Sequence, residues 1–333
     1  MRAWQQDEYG DASVVRLMEV PEPAVRANEV LIAPAAVGVN NGDTRIMQGE
    51  PLLVRPFFGI RRPKERVRGM AVAGTVVAMG REAGSFAVGD RVLAECAGGF
   101  AELVAVDGDR VVPVPASVDL LSAAAVPVGA PTAWAALEAA GVTETSGAGK
   151  RVLVLGASGG VASFTIALAL HRGAHITAVC RASAVDTVRS WGAHDVRARG
   201  AVDPLVAGET FDAIIDIAGD RPLRQLRSKL RSGGRAALVS GQGSRVLGPV
   251  GRIVRSMFLT RKAARLVPVA QKVDADVLAA LLTLVAAGDV AVQVTSVVDF
   301  AEVPAALAAV ARGDVIGKSV VILRPEIAQK SQT

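Results

Sequence analysis

Three closely spaced glycines, Gly156, Gly159 and Gly160, carry the clearest chemical signal in this chain. They lie in the run Gly156-Ala157-Ser158-Gly159-Gly160-Val161-Ala162, directly after four apolar residues and before a segment that is apolar at helical spacing. Glycines so placed permit a tight strand-to-helix turn and let backbone N–H groups approach a phosphate, and a helix N-terminus favours an anion. Residues Gly156 to Val161 are therefore predicted to bind the pyrophosphate of a dinucleotide.

The segments on either side supply the elements that such a turn needs. Val152 to Leu155 is an apolar run typical of a strand buried on both faces of a parallel sheet. Ser163 to His171 reads as a helix, and Ile176 to Cys180 reads as a second strand. A glycine-rich turn alone is a weak signal, so the prediction depends on this strand–turn–helix–strand order, which spans about 30 residues.

The end of the second predicted strand indicates which dinucleotide binds. An NAD site usually has Asp or Glu there to bind the ribose 2′-hydroxyl. This chain has Arg181 and Ser183 instead, and no acid before Asp186. Both side chains can donate to a 2′-phosphate, so the cofactor is predicted to be NADP(H). Alternatively, Arg181 is a solvated charge at a strand end.

Two later loops are predicted to complete the nucleotide site. Ala218-Gly219 follows the apolar strand that begins at Phe211, and Ser240-Gly241 follows the strand that begins at Arg235. Loops at the carboxyl ends of parallel strands bind ligands in open α/β sheets. These four residues are assigned to the nicotinamide side of the cofactor.

Composition limits the class of protein. The 333 residues are long enough for two domains, and strand-like and helix-like segments alternate, which indicates an α/β fold. A net charge of +5 and 4% aromatic residues do not indicate a nucleic-acid partner. Two cysteines and an N-terminus without an apolar core favour a reducing, cytoplasmic location. Residues 152–170 lack charge, but the glycine turn interrupts them, so no membrane span is predicted.

Residues 1–120 read as short strands separated by glycines and prolines, which is typical of a compact β-rich unit. Residues 50–68, with five arginines and two phenylalanines, interrupt this pattern as either a lid near a substrate or a solvated insertion. Residues 251–265 are basic and amphipathic. They are expected to form a helix packed on the protein with its arginines in water, and binding to a membrane surface or an acidic partner is the alternative.

Short motifs occur along almost the whole chain. They are Asp7-Glu8-Tyr9-Gly10, Glu29-Val30-Leu31, Ala36-Val37-Gly38-Val39-Asn40 with Asp43, Val88-Gly89-Asp90-Arg91-Val92, Gly98-Gly99-Phe100-Ala101-Glu102, Thr132-Ala133-Trp134, Gly156 to Ala162 and Gly317-Lys318. In their order and spacing they resemble the medium-chain dehydrogenase/reductase superfamily, in its zinc-independent quinone oxidoreductase-like and NAD(P)-dependent alcohol dehydrogenase-like branch.

The resemblance implies a GroES-like, β-rich catalytic domain over residues 1–120, completed by residues 296–333. It implies a Rossmann domain, a doubly wound parallel sheet, over residues 121–295. It further implies a homodimer, and it assigns Lys318 to the cofactor site.

Departures from the family's zinc-dependent members are equally informative. Those relatives carry Gly-His-Glu where this chain has Gly69-Met70-Ala71, and they carry a four-cysteine lobe that is absent here. The only histidines are His171, His175 and His194, all in the predicted nucleotide domain. A catalytic zinc needs about three converging ligands, so no metal site is predicted.

Candidate catalytic residues follow from the resemblance. Asn40 matches an Asn beside the nicotinamide and substrate, although an Asn there could equally cap the following turn. Thr132 matches a threonine near the nicotinamide, or is an ordinary hydroxyl on a helix face. Quinone reductases often carry a tyrosine just after Asp43, where this chain has Thr44-Arg45, so water or Arg45 is expected to supply the proton.

The predicted function is NADPH-dependent hydride transfer, without zinc, to a small molecule that is a quinone or an α,β-unsaturated carbonyl (an enone or enal). Such acceptors take up hydride when the protein aligns the nicotinamide and stabilises the developing oxyanion. Two alternatives remain open: a biosynthetic enoyl reductase or dehydrogenase with one tailored substrate, and a non-catalytic NADPH-binding redox sensor.

Overall fold

The computed structural model describes residues 1–200, 205, 208–240, 246–260, 263–270 and 272–323. These residues pack as two compact units. The first comprises Met1–Pro131, Val273–Gly288 and the described part of Val292–Thr333, and the second comprises the described part of Thr132–Lys272 with Asp289–Ala291. Residues 121–131 and 273–288 thus pack with the first unit, whereas the sequence-based boundaries assign them to the nucleotide domain.

The first unit is built on a seven-stranded sheet with a separate two-stranded hairpin. The strands of this unit are β1 (Arg2–Gln5), β2 (Arg16–Glu19), β3 (Glu29–Val39), β4 (Ala71–Met79), β5 (Arg91–Glu95), β6 (Val104–Asp107), β7 (Val111–Pro113), β14 (Val294–Asp299) and β15 (Lys318–Ile322). The spatial order of the larger sheet is β14-β15-β3-β4-β5-β7, with β6 paired to β3, and all pairs except β14–β15 are antiparallel.

Strand β3 is the centre of this sheet, and all eleven of its residues are buried. Pro34 lacks the N–H that a sheet requires, and the pairing with β4 shifts register beside it, between Pro34 and Ala36. Gly38 packs closely against the helix Leu120–Ala125, and a Cβ at that position would lie 2.3 Å from the carbonyl oxygen of Ala124. These features let β3 deliver its last residues and Asn40 into the interior of the unit.

The helices of the first unit cover this sheet. They are α1 (Asn41–Gln48), α2 (Arg55–Phe58), α3 (Leu120–Ala125), α9 (Ala275–Ala287) and α10 (Val303–Arg312). Helix α3 packs on β3 and β4, and α9 packs on β7, which explains why both belong to this unit. A hydrophobic core of this unit includes Trp4, Met47, Phe100 and Phe300.

The second unit is a six-stranded, wholly parallel sheet. The strands are β8 (Arg151–Leu155), β9 (His175–Arg181), β10 (Asp195–Arg199), β11 (Phe211–Asp216), β12 (Leu230–Leu238) and β13 (Ala264–Pro268). Their spatial order is β10-β9-β8-β11-β12-β13, so the strand order reverses between β8 and β11. This order is that of a doubly wound dinucleotide-binding sheet, with ligands expected at the reversal.

Helices connect these parallel strands. They are α4 (Gly129–Ala139, of which residues 132–139 belong to this unit), α5 (Gly160–His171), α6 (Val185–Ser190), α7 (Leu223–Ser228) and α8 (Val250–Leu259). Residues of β8, β11 and β12 form the core with Phe211, Leu223 and Leu226. The predicted α/β fold class, with a β-rich unit and a unit built on a doubly wound parallel sheet, is confirmed. None of the helices in the described part of the chain is long and apolar enough to cross a membrane.

Residues 251–265 differ from the expectation of a single packed helix with solvated arginines. Helix α8 ends at Leu259, and the edge strand β13 begins at Ala264. Arg252 is largely buried in an ion pair with Asp216. By contrast, Met257 and Phe258 are 71% and 84% exposed. One arginine is therefore buried and two apolar residues are exposed, the reverse of the expected pattern. The cause is the buried carboxylate of Asp216 at the end of β11, which pairs with Arg252.

Candidate functional site

The glycine turn has the predicted geometry. Gly156 follows β8 with φ of +81°, and a Cβ there would lie 2.8 Å from the backbone nitrogen of Ala218. The N–H groups of Gly156 and Ala157 both donate to the carbonyl oxygen of Val179, at 3.0 and 2.9 Å. These bonds hold the turn against the end of β9, so that chain direction reverses within a few residues.

Gly159 lies at the N-terminus of the twelve-residue helix α5. A Cβ at Gly159 would meet no atom within 4 Å among the described residues, so the space beside this backbone is open. The first N–H groups of a helix have no intrahelical acceptor and carry the positive end of its dipole. Open space beside such a terminus fits a pyrophosphate, which satisfies the requirement for a dinucleotide at this turn.

A cavity of about 270 Å³ lies next to this turn, at the carboxyl ends of β8, β9, β10 and β11. Its position is the reversal point of the sheet, where a nucleotide is expected. Four of the predicted cofactor residues line it. The lining residues among those described are Leu155, Gly156, Ser158, Val179, Cys180, Arg181, Arg199, Ala218, Asp220, Arg221 and Pro222.

Arg199 is a cavity residue that sequence reasoning missed. Strands β9 and β10 are parallel, and their register pairs Arg199 with Arg181, so both cations stand at the same sheet edge. Arg199 Nη1 lies 2.6 Å from Asp220 Oδ2. The sequence pattern predicts a short strand over Gly192 to Val196, whereas β10 ends three residues later, at Arg199. A longer strand would have placed Arg199 beside Arg181.

The remaining predicted cofactor residues of this unit lie outside the cavity lining. Ser183 is exposed in the turn after β9, and Ser240 follows β12. Gly219 donates its N–H to Asp216 Oδ1 at 3.0 Å, and Asp216 also pairs with Arg252. The buried carboxylate of Asp216 therefore holds the loop after β11 in place. Gly241 lies outside the described residues.

In the first unit, Asn40, Asp43 and Lys318 form one buried network. Asn40 Nδ2 donates to the carbonyl oxygen of Gly38 at 2.9 Å, and Lys318 Nζ donates to Asn40 Oδ1 at 2.5 Å. Asp43 Oδ2 accepts the backbone N–H of Asn40 at 2.8 Å, which stabilises the first turn of α1. The Lys318 ammonium, which the resemblance assigns to the cofactor site, thus bonds within the first unit, to Asn40 Oδ1 and to the carbonyl oxygen of Val39.

Burial shifts the pKa of both charged members of the network. Burial raises the pKa of Asp43 to about 6, although the backbone N–H of Asn40 and the charges of Lys318 and Arg68 act in the opposite direction. Burial lowers the pKa of Lys318 to about 8, and Asp43 partly offsets this shift. Each group is thus closer to neutrality than in water, because neither is well solvated.

The other predicted catalytic residues lie in helices. Arg45 is half-buried in α1, one turn after the network. Thr132 is half-buried in α4 and belongs to the second unit. Tyr9, the only tyrosine, donates its hydroxyl to the carbonyl oxygen of Gly59 at 2.6 Å, with the Arg55 guanidinium over its ring. Tyr9 therefore tethers the 50–68 segment.

Known proteins resemble this chain in sequence and in fold. Residues 26–116 match the alcohol dehydrogenase GroES-like domain, and residues 191–321 match the zinc-binding dehydrogenase family. A chloroplast envelope quinone oxidoreductase homolog of Arabidopsis thaliana is 32% identical over 246 residues, which cover 71% of this chain and 73% of that protein. The chain belongs to the medium-chain dehydrogenase/reductase superfamily.

Within that superfamily the chain lies in the quinone oxidoreductase-like branch. A mitochondrial NAD(P)H oxidoreductase of Homo sapiens is 34% identical over 239 residues, which cover 66% of this chain and 60% of that protein. The solved structure of a quinone oxidoreductase from Coxiella burnetii shares the fold, with a TM-score of 0.84 at 23% identity over 97% of this chain and 99% of that one. A medium-chain dehydrogenase/reductase of this branch is an oxidoreductase enzyme that uses a nicotinamide cofactor.

The superfamily's catalytic zinc position holds Gly69-Met70-Ala71 in this member. Among the described residues, no group of three or more His, Cys, Asp or Glu side chains is placed to hold a metal ion. All three histidines lie in the second unit, where His175 stacks on His194 at 4.2 Å between ring centroids. Burial raises the pKa of the Cys96 thiol, so this sulfur stays protonated at neutral pH.

Proposed function

We propose that this protein is a zinc-independent, NADPH-dependent oxidoreductase that transfers hydride to a quinone or an α,β-unsaturated carbonyl. The observation that supports NADPH is the position of Arg181 and Arg199, which are register neighbours on adjacent strands and both line the cavity next to the glycine turn. Two guanidinium groups can bind a phosphate monoester through charge-assisted hydrogen bonds, which are stronger than neutral ones. No carboxylate ends β9, where an NAD site would bind the ribose.

The proposal of zinc independence rests on the donor set. Zinc prefers thiolate, imidazole and carboxylate ligands, and the zinc position here offers the Met70 thioether and the Ala71 methyl group. The nearby Cys96 thiol would have to lose its proton against a raised pKa. These side chains are poor ligands for the ion, although the matched family model is described as zinc-binding.

The reaction that suits such residues is hydride transfer to an electron-poor acceptor. Bound NADPH supplies a hydride from its nicotinamide ring. The turn that would hold the pyrophosphate consists of Ala157, Ser158, Gly160 and Val161 together with two glycines. Gly156 allows the tight turn with its φ of +81°, and Gly159 leaves open space beside its backbone.

In the first unit, the Lys318 ammonium orients the Asn40 amide, because an ammonium group can bond only to the amide oxygen. The amide hydrogens of Asn40 then point away from Lys318, and one of them is available for an acceptor. Thr132 and Arg45 are retained as candidates for orienting the acceptor and for supplying the proton.

The test compares binding with turnover. We expect NADPH to bind at least tenfold more tightly than NADH, and enzyme and NADPH to reduce several quinones and 2-alkenals. Zinc content, measured by elemental analysis, should stay far below one ion per chain. Equal or tighter binding of NADH would reject the cofactor assignment, and a stoichiometric zinc ion would reject zinc independence.

The same acceptor panel separates the two other functions. Turnover of one product precursor alone would indicate a tailored enoyl reductase or dehydrogenase. Micromolar NADPH binding with no oxidation by any acceptor would indicate a redox sensor. The homodimer and the cytoplasmic location stay predictions, to be tested by light scattering and by cell fractionation; the two relatives compared are named for the chloroplast and the mitochondrion.

A further inference from the structure

A second cavity, of about 310 Å³, lies wholly within the first unit. We call it the Arg68 cavity. Its apolar wall contains Ile46, Phe57, Phe58, Val67 and Met70, and its polar lining includes Asp43 and Arg68. Phe57 and Phe58 come from the 50–68 segment. Of the two sequence-based readings of that segment, a lid near a substrate fits this position better than a solvated insertion.

The segment is tied down at several points. Tyr9 donates to the carbonyl oxygen of Gly59, and Arg55 Nε donates to the carbonyl oxygen of Gly49 at 3.0 Å. Gln6 N–H bonds to the carbonyl oxygen of Arg66 at 2.9 Å. The two phenylalanines are therefore held over the cavity although they are exposed, and flat apolar groups of this kind suit a planar ligand.

Two charged side chains of the cavity have buried atoms without a partner. Arg68 is 5% exposed and Asp43 is 1% exposed. Within the described part of the chain, neither Arg68 Nε nor Asp43 Oδ1 has a hydrogen-bond partner. Buried polar atoms are nearly always paired, because leaving one unpaired costs more than a hydrogen bond gains. An unpaired donor and an unpaired acceptor in one cavity point to a ligand.

Direct pairing of Arg68 with Asp43 would remove both costs, but it is not observed. No ion pair within 4.0 Å joins these two residues, both of which the structure describes. Asp43 Oδ2 is occupied by the backbone N–H of Asn40, which holds the carboxylate in place. The guanidinium thus offers a donor, and the carboxylate offers an acceptor, to a third group.

We propose that the Arg68 cavity binds the carbonyl acceptor, with Arg68 Nε donating to its carbonyl oxygen and Asp43 Oδ1 accepting from a hydroxyl group of the same molecule. This inference rests on the proposed function and names the acceptor class: a neutral, planar carbonyl compound that carries a nearby hydroxyl. The carbonyl oxygen accepts from the guanidinium, the hydroxyl donates to the carboxylate, and the ring lies against the phenylalanines.

Arg68 then has a catalytic as well as a binding role. When hydride adds to the acceptor carbon, a C–H bond forms there, the π electron pair moves to the oxygen, and the nicotinamide is oxidised. The oxygen becomes an oxyanion, which takes its proton from water or from Arg45. A guanidinium already bonded to that oxygen stabilises the new negative charge more than it stabilises the neutral carbonyl.

The first experiment measures acceptor binding directly, so that it does not depend on turnover. The probes are 2-hydroxymethyl-1,4-naphthoquinone and 2-methyl-1,4-naphthoquinone, titrated calorimetrically into the protein. We expect the hydroxymethyl compound to bind about tenfold more tightly, the change expected for one hydrogen bond to a charged group. Asp43→Asn replaces Oδ1 by an amide donor while leaving an oxygen for Asn40, so it should abolish this preference. An unchanged preference in D43N would overturn the role of Asp43.

The second experiment tests Arg68. Arg68→Met should weaken binding of both quinones and lower kcat for both by about 10- to 100-fold, with NADPH affinity unchanged. Arg66→Met is the matched control, because Arg66 lies two residues away with an exposed side chain paired to Asp7. Losses no larger than those of R66M would overturn the proposal.

A third variant covers the case in which R68M does not fold. Ala97 is an exposed residue on the cavity lining, so Ala97→Trp should fill the cavity without disturbing the core. Quinone binding should be lost while NADPH binding persists. Persistent quinone binding in A97W would place the acceptor elsewhere. If wild type binds both quinones but oxidises no NADPH, the proposed function fails while the binding site stands.

Discussion

Lys318 Nζ donates to Asn40 Oδ1 across 2.5 Å, and both residues are buried. The ammonium group therefore fixes the orientation of the Asn40 amide: the amide oxygen faces Lys318, and the amide nitrogen faces the carbonyl oxygen of Gly38. The pair also places a positive charge in the interior, next to the buried carboxylate of Asp43. Its consequence for stability can be measured as a function of pH.

Lys318→Met should change the pH dependence of unfolding above pH 8. Burial lowers the pKa of Lys318 from 10.5 to about 8. Between these values the unfolded chain binds a proton that the folded chain has released, so the free energy of unfolding rises with pH in this window. In K318M that rise should be smaller, as measured by urea denaturation between pH 7.5 and pH 10.5. A variant curve parallel to wild type would contradict a buried, titrating Lys318, and Lys272→Met, an exposed lysine, is the control.

Arg199→Met should weaken NADPH binding selectively. One charge-assisted hydrogen bond to the 2′-phosphate is worth about 1.5–3 kcal/mol, so the Kd for NADPH should rise about 10-fold or more. The Kd for NADH should stay within about twofold, because NADH has no phosphate at that position. Arg181→Met should behave in the same way.

Arg189→Met is the matched control for these two variants, because Arg189 is an exposed cation of the same unit that pairs with Asp186. Fluorescence titration of the reduced cofactors measures all four proteins. Equal losses for NADPH and NADH in R199M would mean that the arginine does not bind the phosphate.

Two glycine variants should separate folding from cofactor binding. Gly156→Ala introduces a Cβ at φ of +81° and 2.8 Å from the Ala218 nitrogen, so it should lower both the melting temperature and cofactor affinity. Gly159→Ala has φ of −90° and open space for its Cβ, so it should fold with a normal melting temperature. Its methyl group would enter the space left for the pyrophosphate and should raise the Kd for NADPH. Normal NADPH affinity in G159A would argue against phosphate binding beside this backbone.

Arg252→Met should destabilise the second unit strongly. Its guanidinium pairs with Asp216, which is fully buried beneath the loop of Ala218 and Gly219. Removing one partner of a buried ion pair typically costs about 3–5 kcal/mol, because the other charge stays buried and uncompensated. The exposed Arg255 of the same helix is the control, and R255M should change the free energy of unfolding by less than about 0.5 kcal/mol.

The double variant Asp216→Asn/Arg252→Met identifies the origin of that loss. Neutralising the carboxylate removes the buried charge, so the double variant should be more stable than R252M alone. A double variant as unstable as R252M would assign the loss to packing of the arginine side chain.

Much of the second unit could be predicted from sequence because its signals are local. The apolar runs of β8 and β9 and the glycine turn between them are contiguous in the chain, and their order alone indicates a parallel sheet. Arg199 was missed because its strand, Asp195–Arg199, is exposed and charged at its end, so no apolar run marks where it stops.

The site in the first unit could be predicted only in part. Asn40 was identified from a motif, but its bond to Lys318 joins residues 278 positions apart, and no local pattern specifies such a contact. Arg68 ends a segment rich in arginine, which by composition indicates a solvated surface. Its burial is set by tertiary contacts, since its backbone bonds to Trp4 and to Phe100, and sequence periodicity does not report such contacts.

The origin of Lys318 in β15 also bears on how the polypeptide folds during synthesis. The first unit pairs β15 with β3, and the paired residues lie at least 280 positions apart in the chain, so those of β3 leave the ribosome much earlier. Its central sheet therefore cannot close until translation is almost complete, and contacts of such long sequence separation are slow to form. The second unit is nearly continuous in sequence, so it can fold while the C-terminal part of the first unit is still being synthesised. Nascent chains released before β15 is made should thus contain a folded second unit and an incomplete sheet in the first unit. The edge of β3 that β15 would cover is then unpaired, and unpaired strand edges are prone to aggregation.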